Sequence, residues 1–152
     1  MKAKLLTAPL LLFLCLVPVA LSGATPAEEK AFTDKYKAAF EAKDTATLES
    51  FLYTDGADPM ALGFYKMMMS NGAGGKVSKI ALVDLTPDDA KKAAEIQDGP
   101  GGAKLCLPLK PTKTLVMTVE TKDANGSSTS TNENFIAEKD GKLVIPVPAP
   151  VK

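Results

Sequence analysis

The sequence contains no histidine, no arginine and no tryptophan in 152 residues. Sequence-specific binding of nucleic acid depends largely on arginine side chains and a basic face, and here 18 basic residues are balanced by 18 acidic ones. Histidine is the side chain best suited to proton transfer near neutral pH and the commonest zinc ligand. We therefore expect no nucleic-acid partner, no metal site and no cofactor.

Cysteine is also scarce, since only Cys15 and Cys106 are present. Cys15 lies in an N-terminal apolar run that we expect to be removed, which leaves Cys106 without an intrachain disulfide partner. With no histidine to activate its thiol, Cys106 is not expected to be a catalytic nucleophile.

The N-terminus has the pattern of a secretory signal peptide. A short basic start precedes an apolar run over residues 5–21, and small residues follow at 22–24. This order predicts a signal peptide spanning 1–24, cleaved between Ala24 and Thr25. We therefore expect an exported protein, either secreted or periplasmic.

Two alternatives to cleavage are weaker. The apolar run contains Pro9 and Pro18 and is 17 residues long, whereas a membrane-spanning helix needs about 20 apolar residues. Lipidation of Cys15 is disfavoured because bulky residues precede it at 12–14. No stable membrane insertion is expected after cleavage.

The remaining chain has the size of one domain. Removal of Lys2 and Lys4 leaves 16 lysines against 18 acidic residues, a net charge of −2. We place the domain at 25–147 and a proline-rich tail at 148–152, because the prolines at 146, 148 and 150 cannot continue a central strand.

Three helices are predicted before any strand. The first spans 27–43, and its apolar stripe consists of Phe32, Tyr36, Ala39 and Phe40. Asp44 is expected to cap a short helical stretch over 45–53. Asp58-Pro59 begins a third helix, which Asn71-Gly72 ends.

The third helix is apolar nearly all round and rich in methionine. Such a helix is usually enclosed on several sides, so core packing is the first interpretation. The alternative is that part of it lines a cavity, because methionine adapts to varied apolar partners. Tyr36 and Tyr65 lie on the inward faces of the first and third helices, where a hydroxyl needs a partner or a ligand.

The second half of the chain is predicted to be mostly strand. The expected strands are 76–85, 103–109, 113–122, 127–139 and 143–145, with a short rim helix over 87–96. Hairpin turns are predicted at Asn125-Gly126 and Asp140-Gly141. The predicted fold is α+β, with N-terminal helices packed on a curved, mostly antiparallel sheet.

Three motifs were weighed for function. Residues 70–76, SNGAGGK, lack the spacing of a phosphate-binding loop and are interpreted as a linker. Asn125 begins a short match to the N-glycosylation pattern, but a hairpin with a solvated face is the preferred interpretation. Asp84 lies within an apolar strand, so it is either a solvated carboxylate at the strand end or, if buried, a general base.

Residues 38–44, AAFEAKD, followed by Leu48, Phe51, Leu52 and Tyr53, resemble the start of the nuclear transport factor 2-like superfamily, which includes SnoaL-like and ketosteroid isomerase-like proteins. The order of helices and strands over 27–147 is similar to that family as well. The resemblance implies a cone-shaped fold with a pocket, and homodimers are common in the family. The chain departs from the family pattern in its 87–96 insertion and in lacking histidine, and both departures count against inherited catalysis.

Two functional hypotheses follow. The first is a non-enzymatic module that holds a small apolar ligand or a protein partner in the cone, or serves a structural role with the cone filled. The second is an isomerase- or hydrolase-like enzyme that uses a buried carboxylate and a tyrosine. No catalytic residue is assigned, and the expected ligand-binding residues are Tyr36, Phe40, Tyr65, Met68, Asp84 and Met117.

Overall fold

The structure is a computed structural model that describes residues 23–99, 102–123 and 126–151. It has an α+β fold in which helices pack on a mostly antiparallel sheet. The helices are α1 (Pro26–Glu41), α2 (Thr45–Glu49), α3 (Pro59–Ser70) and α4 (Pro87–Ala94). The strands are β1 (Leu52–Tyr53), β2 (Lys76–Asp84), β3 (Gln97–Asp98), β4 (Lys104–Cys106), β5 (Pro111–Asp123), β6 (Gly126–Lys139), β7 (Lys142–Pro146) and β8 (Ala149–Pro150).

The main sheet has the strand order β1-β7-β6-β5-β2. All neighbouring strands are antiparallel except β1 and β7, which are parallel. Register shifts between Val77 and Lys79 in β2 and between Pro111 and Lys113 in β5 are bulges, which bend and twist strands. A second, three-stranded sheet has the order β3-β4-β8.

The helix starts follow the sequence closely. Thr25 and Glu28 form a capping box at the start of α1, and Thr86 and Asp89 form one at the start of α4. The Asp58 carboxylate accepts hydrogen bonds from the first amides of α3, and Asp44 caps α2 in the same way. The predicted starts of the second and third helices are thereby confirmed.

The core lies between α1 and the sheet. The apolar stripe of α1 is buried, as predicted, and packs with side chains of α2, β2, β5, β6 and β7. Phe51 joins this stripe through an edge-on contact with Phe32, with ring centroids 4.9 Å apart. The residues buried in this cluster are Phe32, Tyr36, Ala39, Phe40, Leu48, Phe51, Leu52, Met69, Val77, Leu115, Met117, Val119, Ile136, Ile145 and Val147.

The end of α1 is fastened to the loop before β2. The Phe40 carbonyl accepts a hydrogen bond from the Gly74 amide at 2.8 Å. The Glu41 carboxylate accepts one from the Val77 amide at 3.0 Å, next to the bulge in β2. Side chain and backbone therefore both fix α1 against the sheet.

Several predicted details are wrong. Leu52 and Tyr53 form a parallel edge strand rather than the end of a helix, because their backbone pairs with Ile145 and Pro146 of β7. The segment expected to be a free tail contains β8, which pairs with β4. The third helix is not enclosed, since only Met69 of its side chains is buried.

The predicted hairpin turn at Asp140-Gly141 is confirmed. Asp140 and Gly141 form the two-residue turn between β6 and β7, with φ of 50° and 72°, values that fit the left-handed conformation of such turns. Between β5 and β6, Gly126 pairs with Asp123 in the ladder, so its predicted position in the turn is wrong. Asn125 itself lies outside the described residues.

The predicted signal peptide lies almost entirely outside the described residues, which begin at Gly23. Among the helices that are described, none combines the length and the apolar character needed to cross a membrane.

Candidate functional site

A cavity of about 300 Å³ opens between α1, the C-terminal end of α3 and the sheet. We call it the tyrosine cavity, because Tyr36 lies at its floor. Its lining residues are Tyr36, Phe40, Met68, Met69, Asn71, Met117, Thr131, Asn132, Glu133 and Asn134. Four of the six residues expected to bind a ligand, Tyr36, Phe40, Met68 and Met117, are thus brought together.

The apolar side of the cavity comes from three elements. Tyr36 and Phe40 are four residues apart in α1 and therefore lie on the same face of that helix. Met69 enters from α3, and Met117 enters from the inner face of β5. Because all four are buried elements of the core, the shape of the cavity is set by the same packing that stabilises the fold.

The Tyr36 hydroxyl is the one hydrogen-bonding group on this apolar side. Tyr36 is only 1% exposed, and its hydroxyl forms no hydrogen bond with any described residue. Burial raises the pKa of Tyr36 to about 12, so the hydroxyl is protonated at neutral pH and can donate a hydrogen bond. Among the described residues, Thr114 Oγ1 is the fully buried side-chain polar atom without a hydrogen bond, so the Tyr36 hydroxyl is reached from the cavity, where a partner would lie.

The polar side of the cavity is built by β6. Met117 pairs with Asn132, and Leu115 pairs with Asn134, so both amides lie on the same face of the sheet as the apolar residues. Primary amides donate and accept hydrogen bonds without carrying charge. The tyrosine cavity is therefore apolar on its α1 and β5 sides and hydrogen-bonding on its β6 side.

Glu133 contributes to the rim but not to this polar face. Successive strand residues point to opposite faces, and Glu133 lies between Asn132 and Asn134. Its partner in the register is Val116, whereas the partners of the two asparagines line or underlie the cavity. The Glu133 side chain is exposed, and its carboxylate projects from the face opposite to Tyr36.

Asp84 does not belong to the cavity, so its assignment to the binding site is wrong. It lies at the end of β2, where its carboxylate is 89% exposed and pairs with Lys113 at 2.9 Å. Lys113 also pairs with Glu29 of α1, and hydrogen bonds to the two carboxylates raise its pKa. Asp84 is therefore part of a surface ion-pair network at the strand end.

Tyr65 lies outside the residues that line the cavity, which also corrects the sequence assignment. It is partly buried against the core from α3, and burial raises its pKa. Tyr65 does lie on the inward face of α3, as predicted, but there it packs against the core and does not line the cavity.

The outer face of α3 is apolar and exposed. Met60, Phe64, Met67 and Met68 have exposed fractions of 63%, 53%, 61% and 42%. Their spacing places them within one stripe of the helix surface. Met68 belongs to both this stripe and the tyrosine cavity, so the two apolar surfaces are continuous.

Carboxylates and metal ligands are not concentrated here. Within the described ranges, Thr114 is the only buried side chain among the polar and charged residues, and no group of three acidic or cysteine side chains could hold a metal ion. Glu120 of β5 is partly exposed and lines a different cleft. Cys106 is a free, partly buried thiol on β4.

The asparagines of β6 are functional candidates that the sequence pattern did not predict. The strand was recognised, but its polar residues were interpreted as a solvated face. Their position follows from the pairing of β5 with β6, which sets Asn132 opposite Met117. Combining the alternation of each strand with the hairpin register would have identified them.

No protein-family model matches the sequence, and the curated proteins contain no match to it. Among solved structures, a protein of unknown function from Mycobacterium tuberculosis is similar to this chain with 12% sequence identity and a TM-score of 0.40. The similar region covers 82% of this chain and 69% of that protein.

Proposed function

We propose that this protein is an exported, non-enzymatic binding module that holds a small amphipathic molecule in the tyrosine cavity. The observation that carries this proposal is the Tyr36 hydroxyl, which belongs to a residue that lines the cavity and forms no hydrogen bond with a described residue. An apolar ligand with one hydrogen-bonding group satisfies both features. Its apolar part packs on Phe40 and Met117, and its polar group meets Tyr36 or an asparagine of β6.

The size of the cavity supports a small ligand. A volume of about 300 Å³ is at the lower end of the range of 300–1,000 Å³ that is usual for ligand pockets. Half of its lining residues are polar, so the ligand that fits the cavity carries hydrogen-bonding groups beside an apolar part.

Binding accounts for the geometry better than the alternative, an isomerase- or hydrolase-like enzyme. That alternative requires a carboxylate close to the tyrosine with a raised pKa. Asp84 is in an exposed ion pair, Glu133 projects from the opposite face, and Glu120 lies at another cleft. The nuclear transport factor 2-like assignment supports a pocket in this position and remains part of the proposal.

A matched pair of variants tests the site. Met68 lines the tyrosine cavity, whereas Met60 is on the same helix, is also exposed and does not line it. With the neutral apolar dye N-phenyl-1-naphthylamine as probe, we expect Met68→Gln to weaken saturable binding by about three- to tenfold, a loss of about 0.7–1.4 kcal/mol. Met60→Gln is expected to leave dye binding unchanged.

The outcomes that contradict the proposal are distinct. An equal effect of both substitutions would place the dye on the outer face of α3 instead of in the cavity. Absence of saturable binding would indicate a structural protein with no ligand site.

Native mass spectrometry of the protein isolated from its own host gives an independent test. The expected mass is that of a chain beginning at Thr25 plus a small non-covalent ligand. A chain retaining residues 1–24 would contradict the proposed export signal. A second copy travelling in place of a ligand would indicate that the apolar face of α3 is covered by homodimer formation.

A further inference from the structure

A second cleft lies just beyond the C-terminal end of α1, next to the tyrosine cavity, and its lining has a different chemistry. Its volume is about 440 Å³, and it is bounded by the loop between α3 and β2 and by the end of β5. We call it the lysine cleft, after Lys43, Lys76 and Lys122. Glu120 lines the cleft as well, so its charged lining residues are three lysines and one glutamate. The strand register places Lys76, Glu120 and Lys122 on one face of the ladder, and Lys43 approaches from the end of α1.

The strand ladder explains why a cleft is present here. Lys76 is the first residue of β2 and pairs with Glu120, whereas β5 continues to Asp123. The end of β5 therefore extends beyond β2, and the loop over residues 72–75 passes beside it in place of a strand.

The loop is seated on the sheet by glycine. A Cβ atom on Gly75 would lie 2.5 Å from a methyl carbon of Val119, which is closer than any side chain tolerates. The loop amides at positions 73, 74 and 75 donate to backbone carbonyls, so the backbone of this wall is fixed before any ligand arrives.

Lys43 is held in an unusual conformation at this cleft. It follows the C-cap of α1 with φ of 57°, at a position where glycine or asparagine is normal because other side chains are strained there. Its alkyl chain lies directly over Gly74, where an added Cβ would be 2.1 Å from Cε of Lys43. A lysine thus occupies a backbone conformation that is strained for its side chain, and the absence of a Cβ at Gly74 leaves space for that side chain.

The charges of the cleft are not neutralised by ion pairs. Across the described part of the chain, Lys43, Lys76 and Lys122 form no ion pair with a carboxylate, whereas six other lysines do. Lysine can also favour the C-terminal end of a helix by interacting with its dipole. That role explains Lys43 alone and does not explain why Lys76 and Lys122 line the same cleft.

We propose that the lysine cleft binds an oxyanion that carries at least two negative charges, such as a polyphosphate or the phosphate of a lipid headgroup. Lysine ammonium groups bind such anions as point charges. Glu120 limits the affinity by repelling the anion. This site is separate from the tyrosine cavity, and the proposal does not depend on the function proposed for that cavity.

The test is a titration of the purified protein with inorganic tripolyphosphate, followed by the backbone amide resonances at low salt. We expect shifts concentrated at residues 72–76 and 120–122. Lys43→Asn is expected to weaken binding by about two- to fivefold, a range typical of one exposed charge pair, because asparagine tolerates the backbone conformation of this position. Glu120→Gln is expected to strengthen binding by a similar factor.

Lys79→Gln is the matched control. Lys79 is an exposed residue of β2 that forms no described ion pair and does not line the cleft, and its substitution also removes one positive charge. Equal weakening by Lys79→Gln and Lys43→Asn, weakening by Glu120→Gln, or the absence of shifts in the loop would each overturn the proposal.

Vesicles that contain phosphatidic acid, whose phosphomonoester headgroup carries up to two negative charges, distinguish the two sources of the anion. Cosedimentation with vesicles that Lys43→Asn reduces identifies a lipid headgroup, whereas binding of tripolyphosphate alone identifies a soluble anion. The two proposals can fail separately. If the protein binds the dye but not tripolyphosphate, the lysine-cleft proposal is wrong and the tyrosine-cavity proposal is unaffected.

Discussion

α1 and α3 are both helices with aromatic and aliphatic side chains, but they differ in what those side chains contact. α1 carries seven charged residues and buries its whole apolar stripe, whereas α3 carries one charged residue and buries a single side chain, Met69. The more apolar helix is therefore the more exposed one. Its outer stripe leads into the tyrosine cavity at Met68.

The difference between the two helices shows when an apolar pattern can identify the buried face of a helix. In α1, charged residues on three sides leave one stripe that must be the buried one. In α3 the apolar residues surround the axis, so the pattern does not indicate which side faces the sheet. Burial there is decided by neighbouring elements, and α2 and the sheet cover only the inner side.

The prediction with the largest expected effect compares Phe40 of α1 with Phe64 of α3. Phe40 is 2% exposed and Phe64 is 53% exposed. Phe40→Ala is expected to lower the free energy of unfolding by about 3–5 kcal/mol, as large core truncations do, and Phe64→Ala by about 0.5 kcal/mol or less. Urea denaturation measures both changes, and a large loss from Phe64→Ala would mean that the outer face of α3 is covered in the native protein.

A second comparison is made within α3. Met69 is 5% exposed and packs in the core, whereas Met67, two residues earlier, is 61% exposed. Met69→Ala is expected to cost about 2–5 kcal/mol through lost packing and a residual cavity, and Met67→Ala about 0.5 kcal/mol or less. Thermal unfolding of the two variants measures both losses of stability. Equal losses would contradict the distinction between a buried inner side and an exposed outer side of α3.

Local sequence signals predicted most of the element order. Capping residues such as Asp58 and turn residues such as Asp140-Gly141 act within a few positions, so their effect can be recognised without the rest of the chain. The two-residue strands could not be predicted in this way. β1 and β8 exist because distant strands offer them backbone partners, and their own sequences carry no strand pattern.

The residues of the candidate site that could be predicted are those placed by local patterns. Tyr36 and Phe40 followed from helical spacing, and Met117 followed from strand alternation. Asp84 was misplaced because sequence alone did not reveal that β2 ends beside Lys113, where the carboxylate is paired and exposed. Asn132 was missed because its position depends on the register between β5 and β6.

The smallest expected effect compares the two tyrosines of α1 and α3 at alkaline pH. Burial raises the pKa of Tyr36 to about 12, from 10.0 in a model compound, and raises that of Tyr65 as well. A raised pKa in the folded state means that the unfolded chain loses its proton first as pH rises. The stability that Tyr36 contributes is thus complete below pH 10 and is lost progressively up to about pH 12, at a total of about 2–3 kcal/mol.

Urea denaturation between pH 9 and pH 12 measures this loss, and lysine titration contributes equally to all variants. Tyr36→Phe should remove about 2–3 kcal/mol of the decline in unfolding free energy, and Tyr65→Phe should remove less, because the α3 face that carries it is less enclosed. If the unfolding free energy of Tyr36→Phe declined as steeply as that of the unmodified protein, the Tyr36 phenolate of the unmodified protein would be solvated in the folded state. The floor of the tyrosine cavity would then be open to water, and the contrast between an enclosed α1 and an exposed α3 would fail at the residue on which the proposed binding site depends.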